Sequence, residues 1–376
     1  MKNLKSFFLI TLLAIITFFY ACNDEFTASE KEVVLETTLK KEGVLDRLSG
    51  TLQTTNNKPI DNATIKLKGK IIGISDAEGS FILKENSFSL GDVLTIEHQG
   101  FVTVSKVIEE NTKLFVLMKE RAKAHVIDSK KGAEISVASD GQITIPPNAF
   151  SYKGKPYSGL VEIRATYIDI TNQLELRSAP GSYIAENEED GTLYPLTSFG
   201  MIEITATIPE ENIPLDLAEG VAIDTSFPIR TENTPEQVNL YELNRDTGYW
   251  DISGVLINQG NVLRGEITSV NSSWNADDPC ANALVCVRVQ VVYTNGDPGC
   301  YVWATGLTYN GFSGHFTPDA NGFVEFWVCP DSVFQLNACL CLCIPGGPIH
   351  TSIIDLSTVT MNPSGCTDLG VWTINN

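Results

Sequence analysis

Basic residues are scarce in this chain. It carries 26 lysines and arginines against 46 aspartates and glutamates, which gives a formal net charge of -20 over 376 residues. So acidic a body repels phosphate backbones and anionic lipid head groups, which excludes nucleic acid as an expected partner. The hydrophobic content of 43% is still sufficient for packed cores, so a globally disordered chain is not expected.

The chain also lacks the short motifs that mark common enzyme classes. It contains no G-x-S-x-G elbow, no phosphate-binding loop and no dinucleotide fingerprint. None of its four histidines, His98, His125, His315 and His350, is followed by a glutamate at a zinc-ligand spacing. We therefore predict no catalytic residues, no metal site and no cofactor.

Long apolar runs are confined to the N-terminus. Lys2 and Lys5 precede a run from Phe7 to Tyr20, which suits the core of a secretory signal and is short for a bilayer span of ~20 residues. We predict that residues 1–21 are a cleaved signal peptide. No later stretch approaches the length of a membrane span.

The stretch "YACNDEF" follows that run. Ala21 and Cys22 resemble the lipobox of bacterial lipoproteins, in which cleavage precedes the cysteine and its sulfur carries diacylglycerol, although Phe19 and Tyr20 are bulkier than usual there. The following acids resemble the export tag of surface lipoproteins of the Bacteroidetes. This resemblance implies lipidation at Cys22, a tether over residues 22–45, and an outer-membrane lipoprotein exposed at the cell surface. The alternatives are an ordinary signal peptide or anchor helix with an incidental cysteine, and acids that only solvate a tether.

Residues 46–120 show short runs rich in Val, Ile, Leu, Thr and Phe, separated by turn residues at spacings of about ten. This pattern predicts an antiparallel sandwich. We expect a positive φ at Gly79, after which Phe81 enters the core. The stretches "SGTLQTTNNKPIDNATIKLKG", "ISDAEGSFIL" and "GDVLTIEHQGF" resemble the carboxypeptidase regulatory-like domain, a prealbumin-like sandwich. The resemblance implies a non-catalytic module.

Residues 124–256 form a second predicted β-sandwich. The stretches "IPPNAF", "SAPGSY", "LTSFGM" and "TGYW" occur here in that order. They resemble the middle region of cartilage intermediate layer proteins and their bacterial relatives. We expect Trp250 to plug the end of a sheet. We expect "SFGM" to begin a central strand in which Met201, Ile202 and Ile204 pack.

Residues 268–376 form a third, cysteine-rich predicted sandwich. The stretch "TNGDPGCYVWATGLTYNGFSGHFTPDANGFVEF" parallels "TTNNKPIDNATIKLKGKIIGISDAEGSFIL" in the first block. Such internal similarity favours two copies of one architecture on either side of a third. Convergence of two short turn patterns is the alternative. The fold class predicted for the whole chain is therefore all-β, with tandem prealbumin-like or immunoglobulin-like sandwiches.

Eight cysteines remain when Cys22 is set aside, and all lie in the third block. Because an exported protein meets oxidising conditions, we interpret them as disulfide candidates with undetermined pairing. If "NACLCLCIP" is a strand, the cysteines at alternate positions share one face and reach separate partners elsewhere. A thiolate metal site is the alternative, but the C-x-C-x-C spacing fits zinc poorly. The candidates are Cys280, Cys286, Cys300, Cys329, Cys339, Cys341, Cys343 and Cys366.

Two further patterns bear on function. The acidic groups at 188–190 and 277–278 are carboxylate pairs, but a glycosidase needs two carboxylates facing each other across a cleft. The acidic turn at 186–191 is interpreted as solvated, with calcium binding as the alternative. Trp274, Trp303, Trp327 and Trp372 are candidates for a sugar-stacking platform, although aromatics in sandwiches are more often core residues.

These observations predict a lipid-anchored cell-envelope protein with a non-catalytic binding, adhesion or scaffolding role. Its predicted partners are the membrane, through the lipid, and an unidentified protein or glycan. The alternatives are a surface glycan-binding protein and, from another class, a glycosidase or peptidase accessory enzyme.

Overall fold

The computed structural model describes residues 47–84, 88–109, 113–187, 189–232, 234–280, 284–294, 301–339 and 349–374. Cys22, the signal peptide, the tether, Cys300, Cys341 and Cys343 lie outside the described residues. The described chain is almost entirely β-structure, which confirms the predicted all-β class with tandem sandwiches. Within these residues, no helix has the length and apolarity needed to cross a bilayer.

The first sandwich is built from two sheets with strand orders β4-β1-β7 and β3-β2-β5-β6. Strand β1 buries every second side chain, as expected for a strand with one face on a core. Gly79 has a φ of +73°, and a Cβ there would lie 2.3 Å from the Leu52 carbonyl oxygen. Phe81 is buried, so both predictions at this turn are confirmed. The strands are β1 (Leu48–Thr54), β2 (Thr64–Leu67), β3 (Lys70–Ile74), β4 (Ser80–Leu83), β5 (Val93–His98), β6 (Phe101–Val107) and β7 (Lys113–Met118).

The second block is dominated by one large sheet in the order β8-β13-β15-β22-β19-β20-β21-β18-β10-β9, with β14 and β16 beside β15. A small sheet, β12-β11-β17, lies outside it. The strands are β8 (His125–Asp128), β9 (Ala133–Val137), β10 (Gly141–Ile145), β11 (Phe150–Tyr152), β12 (Lys155–Pro156), β13 (Leu160–Ile168), β14 (Ile184–Glu186), β15 (Leu193–Ile208), β16 (Ile213–Pro214), β17 (Asp216–Leu217), β18 (Ile223–Pro228), β19 (Gln237–Leu243), β20 (Trp250–Asn258), β21 (Val262–Ile267) and β22 (Ser272–Pro279). A single-turn helix, α1 (Gln173–Leu176), follows β13.

The large sheet folds over one core, because strands from both of its ends contribute to the same buried cluster. Ile143 from β10 and Ile163 from β13 belong to that cluster together with Trp274 from β22. Strand β22 falls inside the predicted third segment, residues 268–376, yet it pairs with β15 and β19. Met201, Ile202 and Ile204 are buried as predicted. The "SFGM" stretch, however, lies inside β15, which begins at Leu193, rather than at the start of a strand.

The third sandwich has sheets β25-β23-β28 and β24-β26-β27. Two disulfides are described here: Cys280–Cys329, with Cα atoms 6.0 Å apart, and Cys286–Cys366, with Cα atoms 4.4 Å apart. Cys339 ends β26 and is also disulfide-bonded; the rest of the predicted strand, residues 340–345, lies outside the described residues. The strands are β23 (Val285–Tyr293), β24 (Tyr301–Gly306), β25 (Phe323–Val328), β26 (Val333–Cys339), β27 (Ile349–Asp355) and β28 (Thr367–Ile374), with a 3₁₀ turn at Leu356–Thr358.

The first and third sandwiches have the same strand pairing around their central strands. In each, the central strand pairs antiparallel with one neighbour and parallel with the other: β1 with β4 and β7, and β23 with β25 and β28. The two matching turns also have the same hydrogen bonds. Gly79 N donates to the Asp76 carbonyl and Gly322 N donates to the Asp319 carbonyl, each over 2.9 Å. This agreement is what the internal similarity of the two sequence stretches predicts.

Candidate functional site

The stretches "SAPGSY", "SFGM" and "TGYW" meet at a buried cluster that all three blocks share. This central cluster has members from the first sandwich (Val102, Phe115, Leu117), from the second block (Ile168, Ile170, Leu176, Ala179, Tyr183, Ala185, Leu196, Met201, Tyr241, Leu243, Trp250) and from the third (Tyr301, Trp303, Phe312, Cys339). Burial of side chains this large is the main source of stability in a core. The motifs therefore hold a junction between blocks together.

Trp250 is the centre of this junction on the large sheet. It is the first residue of β20 and fully buried, where the sequence predicted a plug at the end of a sheet, and its Nε1 donates a hydrogen bond to the Ser182 carbonyl over 2.5 Å. Gly181 fits closely beside it, since a Cβ there would lie 2.5 Å from Leu243 Cδ1 and 3.2 Å from Trp250 Nε1. The tryptophan of "TGYW" thus requires the glycine of "SAPGSY", although the two are far apart in the chain.

The "SFGM" stretch joins the large sheet to the third sandwich. The pairing of β15 with β22 shifts register between Ser198 and Gly200, which is a β-bulge. At this bulge Ser198 N donates to the Asn310 carbonyl over 3.0 Å, and Asn310 Nδ2 donates back to the Ser198 carbonyl over 2.9 Å. The bulge therefore exposes backbone groups of β15 that a loop of the third sandwich satisfies.

A buried ion pair joins the first sandwich to the large sheet. Arg121, just after β7, donates from Nε and Nη2 to the two carboxylate oxygens of Glu203 over 2.8 and 3.0 Å. Thr103 N donates to the same carboxylate over 3.0 Å. The Glu203 side chain is 1% exposed. Burial acts to lower the pKa of Arg121, but its hydrogen bond to Glu203 and that carboxylate's charge outweigh burial and raise it.

His315 packs among aromatic rings on the third side of the junction. Its ring lies 4.9 Å from those of Phe115 and Phe312 and 5.1 Å from that of Trp303. Arg177 donates to His315 Nε2 over 2.7 Å, because a guanidinium has only donors. Burial, and then the charge of Arg177, lower the pKa of His315, so the imidazole is neutral. This histidine is therefore part of the packing.

A cavity of about 90 Å³ lies beside the junction. It has room for a few water molecules and is well below the ~300 Å³ of ordinary ligand pockets. Burial raises the pKa of Glu109 in its wall to about 7, with the charge of Lys106 acting against this, and burial lowers the pKa of Lys106. Among the described residues of the wall, Glu109 is the one carboxyl group, so this cavity does not supply the two carboxylates that a glycosidase needs.

The larger opening is a polar groove of about 580 Å³ between the first sandwich and the outer face of the large sheet. Its carboxylates are paired with cations. Glu203 binds Arg121, Glu162 accepts from Arg164 over 2.8 Å, and Glu97 accepts from Lys66 over 2.6 Å. The groove is lined by Asn62, Thr64, Glu97, His98, Gln99, Thr103, Arg121, Glu162, Arg164, Glu203, Thr205, Thr207, Asn212, Pro214, Arg245 and Asn271.

Among the described residues, the carboxylates named from sequence lie in different surroundings. Asp277 is fully buried and Asp278 is partly exposed; as neighbours on β22 they point to opposite faces. Glu189 and Asp190 are exposed and Glu188 lies outside the described residues. Burial raises the pKa of Asp277 well above its usual range, and the hydrogen-bonding groups of Ser198 and Asn275 offset this only in part. Asp277 is therefore a buried acid inside the sheet whose environment favours the protonated form.

The four tryptophans considered as a sugar-stacking platform do not form one surface. Trp274 and Trp303 are buried in two different cores. Trp327 and Trp372 are partly buried and pack against two further clusters. The hypothesis of a sugar-stacking surface made by these four rings is wrong, because strand alternation turns them towards cores.

Two disulfides, Cys280–Cys329 and Cys286–Cys366, account for four of the eight cysteine candidates. Among the described residues, the cluster with metal-ligand spacing consists of Cys286, Cys366 and Glu325. Since both sulfurs are oxidised, they supply no thiolate ligand.

Sequence reasoning missed the charged residues of the groove, Arg121, Glu203 and Arg245. An arginine just after a strand run was the only available signal for Arg121. The other two lie in a strand and a turn whose local patterns carry no mark of a site, so only the contacts between blocks identify them.

Comparisons with known proteins give partial matches. Cartilage intermediate layer protein 2 of Mus musculus is 27% identical over 214 residues, covering 53% of this chain and 18% of that protein. The Homo sapiens protein of the same name is 32% identical over 112 residues, covering 30% of this chain and 10% of its length. A 4-hydroxy-3-methylbut-2-enyl diphosphate reductase of Clostridium acetobutylicum is 28% identical over 130 residues, covering 34% of this chain and 19% of that enzyme.

The chain thus spans less than a fifth of the length of these curated relatives. No protein-family model matches it. Among solved structures, the major pilin subunit of Bacillus cereus aligns over 89% of this chain and 99% of its own at 10% identity with a TM-score of 0.18. A protein of unknown function from Bacteroides fragilis aligns over 63% of this chain and 98% of its own at 9% identity with a TM-score of 0.17.

Proposed function

We propose that this chain is a lipid-anchored envelope protein that presents one packed β-body for binding and does not catalyse a reaction. Cys22 carries the lipid, residues 22–45 form the tether, and the cell surface is the site of display. Lipid chains contribute ~0.8 kcal/mol per buried methylene, so a multiply acylated cysteine holds a protein firmly on a membrane.

The central cluster is the observation that supports this role best. Side chains from all three blocks share it, and the Arg121–Glu203 pair and the Asn310–Ser198 hydrogen bonds add polar links between blocks. A body joined in this way holds its grooves in a fixed shape, which lowers the entropic cost of binding. Its groove carboxylates are engaged by cations, which favours recognition over acid–base chemistry.

Glycan binding is the second candidate, and the polar groove supports it. Threonines, asparagines and ionised groups line an opening of about 580 Å³, within the ~300–1,000 Å³ of small-molecule sites. The binding surface in this proposal is the groove and not the tryptophans of the third sandwich.

Maturation and display are tested together in a bacterial host that processes lipoproteins. Globomycin blocks the lipoprotein signal peptidase, so in its presence we expect the unprocessed form to accumulate. In untreated intact cells, we expect external protease to remove the mature protein. Cys22→Ser is the matched control, because it keeps the apolar run and removes the acylated sulfur. Release of the mature wild-type chain into the medium, or processing that globomycin leaves unchanged, would refute the anchor.

A further inference from the structure

We propose that the polar groove binds a carboxylate-bearing sugar, and that Arg245 receives the carboxylate. This inference rests on the proposed binding role and names the ligand class of that site. It depends on a guanidinium left without a partner, on free hydroxyls beside it, and on the size of the opening.

Arg245 is a cation in the groove wall without a hydrogen-bonded partner. Its side chain makes no hydrogen bond and no ion pair with the described residues, and its Nη1 is buried. The other groove arginines, Arg121 and Arg164, are both paired with glutamates. Burial lowers the pKa of Arg245, and the nearby charges of Glu203 and Glu97 offset this only in part. Arg245 as a whole is partly buried; a cation in such a position without a hydrogen-bonded partner is costly, and a ligand that pairs with the accessible side of the guanidinium recovers part of that cost.

The turn that carries Arg245 is fixed by its neighbours. Asn244 Oδ1 accepts from Asp246 N over 3.0 Å, and Gly248 N donates to the Asn244 carbonyl over 2.8 Å. The same turn packs on the first sandwich, where a Cβ at Gly248 would lie 3.0 Å from Val107 Cγ2. Arg245 is therefore presented from an ordered turn, and a planar guanidinium suits bidentate binding of a carboxylate.

Free hydroxyls lie in the wall of the same groove. Thr205 and Thr207 alternate with buried residues along β15 and share the face of Glu203. Thr64 faces them from β2 of the first sandwich. Their hydroxyls make no side-chain hydrogen bond within the described part of the chain, so they are free to bind the hydroxyls of a sugar.

The charge of the opening disfavours ligands that carry several negative charges. The groove lining holds three arginines and three glutamates, so a polyphosphate would meet repulsion there as well as from a body of net charge -20. A second opening of about 440 Å³ shares Glu97 and Arg245 with the groove. Together they leave space for a short saccharide with a single carboxylate at Arg245.

Titration calorimetry on the detergent-solubilised full-length protein tests this proposal. The probes are the methyl glycosides of galacturonate, glucuronate and mannuronate, each with one carboxylate, and each is measured beside its uncharged methyl ester. We expect at least one acid to bind and its ester to bind about ten-fold or more weakly, since a charge-assisted pair is lost. Arg245→Gln should weaken the acid to a similar degree, with Arg245→Lys in between.

Arg264→Gln is the control, because Arg264 is exposed on β21, pairs with Asp224 and does not line the groove. It should bind as the wild type does. Unchanged thermal melting of Arg245→Gln would show that the fold is kept. No binding of any of the acids, equal binding of acid and ester, full competition by inorganic phosphate, or unaltered binding by Arg245→Gln would each overturn the proposal. None of these outcomes affects the globomycin test of the anchor.

Discussion

The Arg121–Glu203 pair shows how much a single contact contributes between blocks. Glu203 is almost completely buried on the groove face of β15 and accepts from Arg121 and from Thr103 N. An ionised carboxylate in such a position is tolerated only with partners. Removing one partner costs more than the pair contributes, because the other charge stays behind.

Arg121→Ala should therefore lower the free energy of unfolding by roughly 3–5 kcal/mol. The cause is the buried Glu203 carboxylate that remains without its cation. The measurement is urea denaturation followed by circular dichroism. Arg264→Ala, which breaks the exposed Arg264–Asp224 pair, is the matched control and should leave stability unchanged. Equal effects of the two substitutions would contradict the account.

Asp277 gives the protein a pH dependence of defined sign. Because its pKa is raised in the folded state, the folded protein keeps a proton that the unfolded chain releases above ~3.9. Its contribution to stability is thus fully present below that pH and declines as the pH rises towards the folded pKa, by up to ~1.4 kcal/mol per pH unit. Asp277→Asn should remove this decline. Parallel stability–pH curves for wild type and variant from pH ~4 upwards would argue against a protonated Asp277.

Among the strands and turns, small residues decide how neighbouring elements meet. Gly200 has a φ of +142° at the β15 bulge, and a Cβ there would lie 2.8 Å from Tyr167 Oη. Gly181 allows the chain before β14 to pass over Trp250. Both glycines lie in stretches that resemble cartilage intermediate layer proteins. In this chain, these stretches bring the backbone close to aromatic rings.

Gly181→Ala should destabilise the protein by about 1–3 kcal/mol, since a methyl group overpacks the contact with Leu243 and Trp250. Gly254→Ala on β20 is the control, because the atom nearest to a Cβ added at that position is Leu240 Cδ2, at 3.9 Å. That substitution should be neutral or slightly stabilising. Thermal unfolding followed by tryptophan fluorescence would distinguish them, and a stable Gly181→Ala protein would contradict the close packing at Trp250.

Over the molecule as a whole, the three blocks are expected to unfold together. Each of the first and third sandwiches has a core of its own, but both also contribute to the central cluster. Loss of one sandwich would expose apolar surface on the other two blocks. Interfaces of this kind make neighbouring units cooperative.

Leu117→Ala in the central cluster should therefore lower the urea midpoint of all three blocks together. The side chain is 1% exposed, and truncation of such a residue costs about 2–5 kcal/mol. Hydrogen exchange resolved by peptide would report each block separately. Leu83→Ala is the matched comparison, because it removes the same atoms from the first sandwich's own core. Loss of protection confined to residues 48–118 in the Leu117→Ala protein would show that the blocks unfold independently.

Local structure could be predicted from the amino acids alone. Alternation of apolar and polar residues predicted the strands, and the Asp–Gly turns at 76–79 and 319–322 predicted the related pairing of two sandwiches, because both signals depend on neighbours within a few residues. The clustering of cysteines in a chain with a secretory signal pattern likewise anticipated the two disulfides among the described residues.

Contacts between segments that are distant in the sequence could not be predicted from local patterns. They are seen only in the folded chain. There β22 joins the large sheet, Trp274 and Trp303 enter separate cores, and Arg245 lacks the kind of partner that Arg121 and Arg164 have. The alternation of side chains along a strand determines which face of the sheet each one occupies. The residue that a side chain contacts depends on which elements are its neighbours in the fold. For Arg121 that residue is 82 positions away, a separation at which no local pattern specifies a contact.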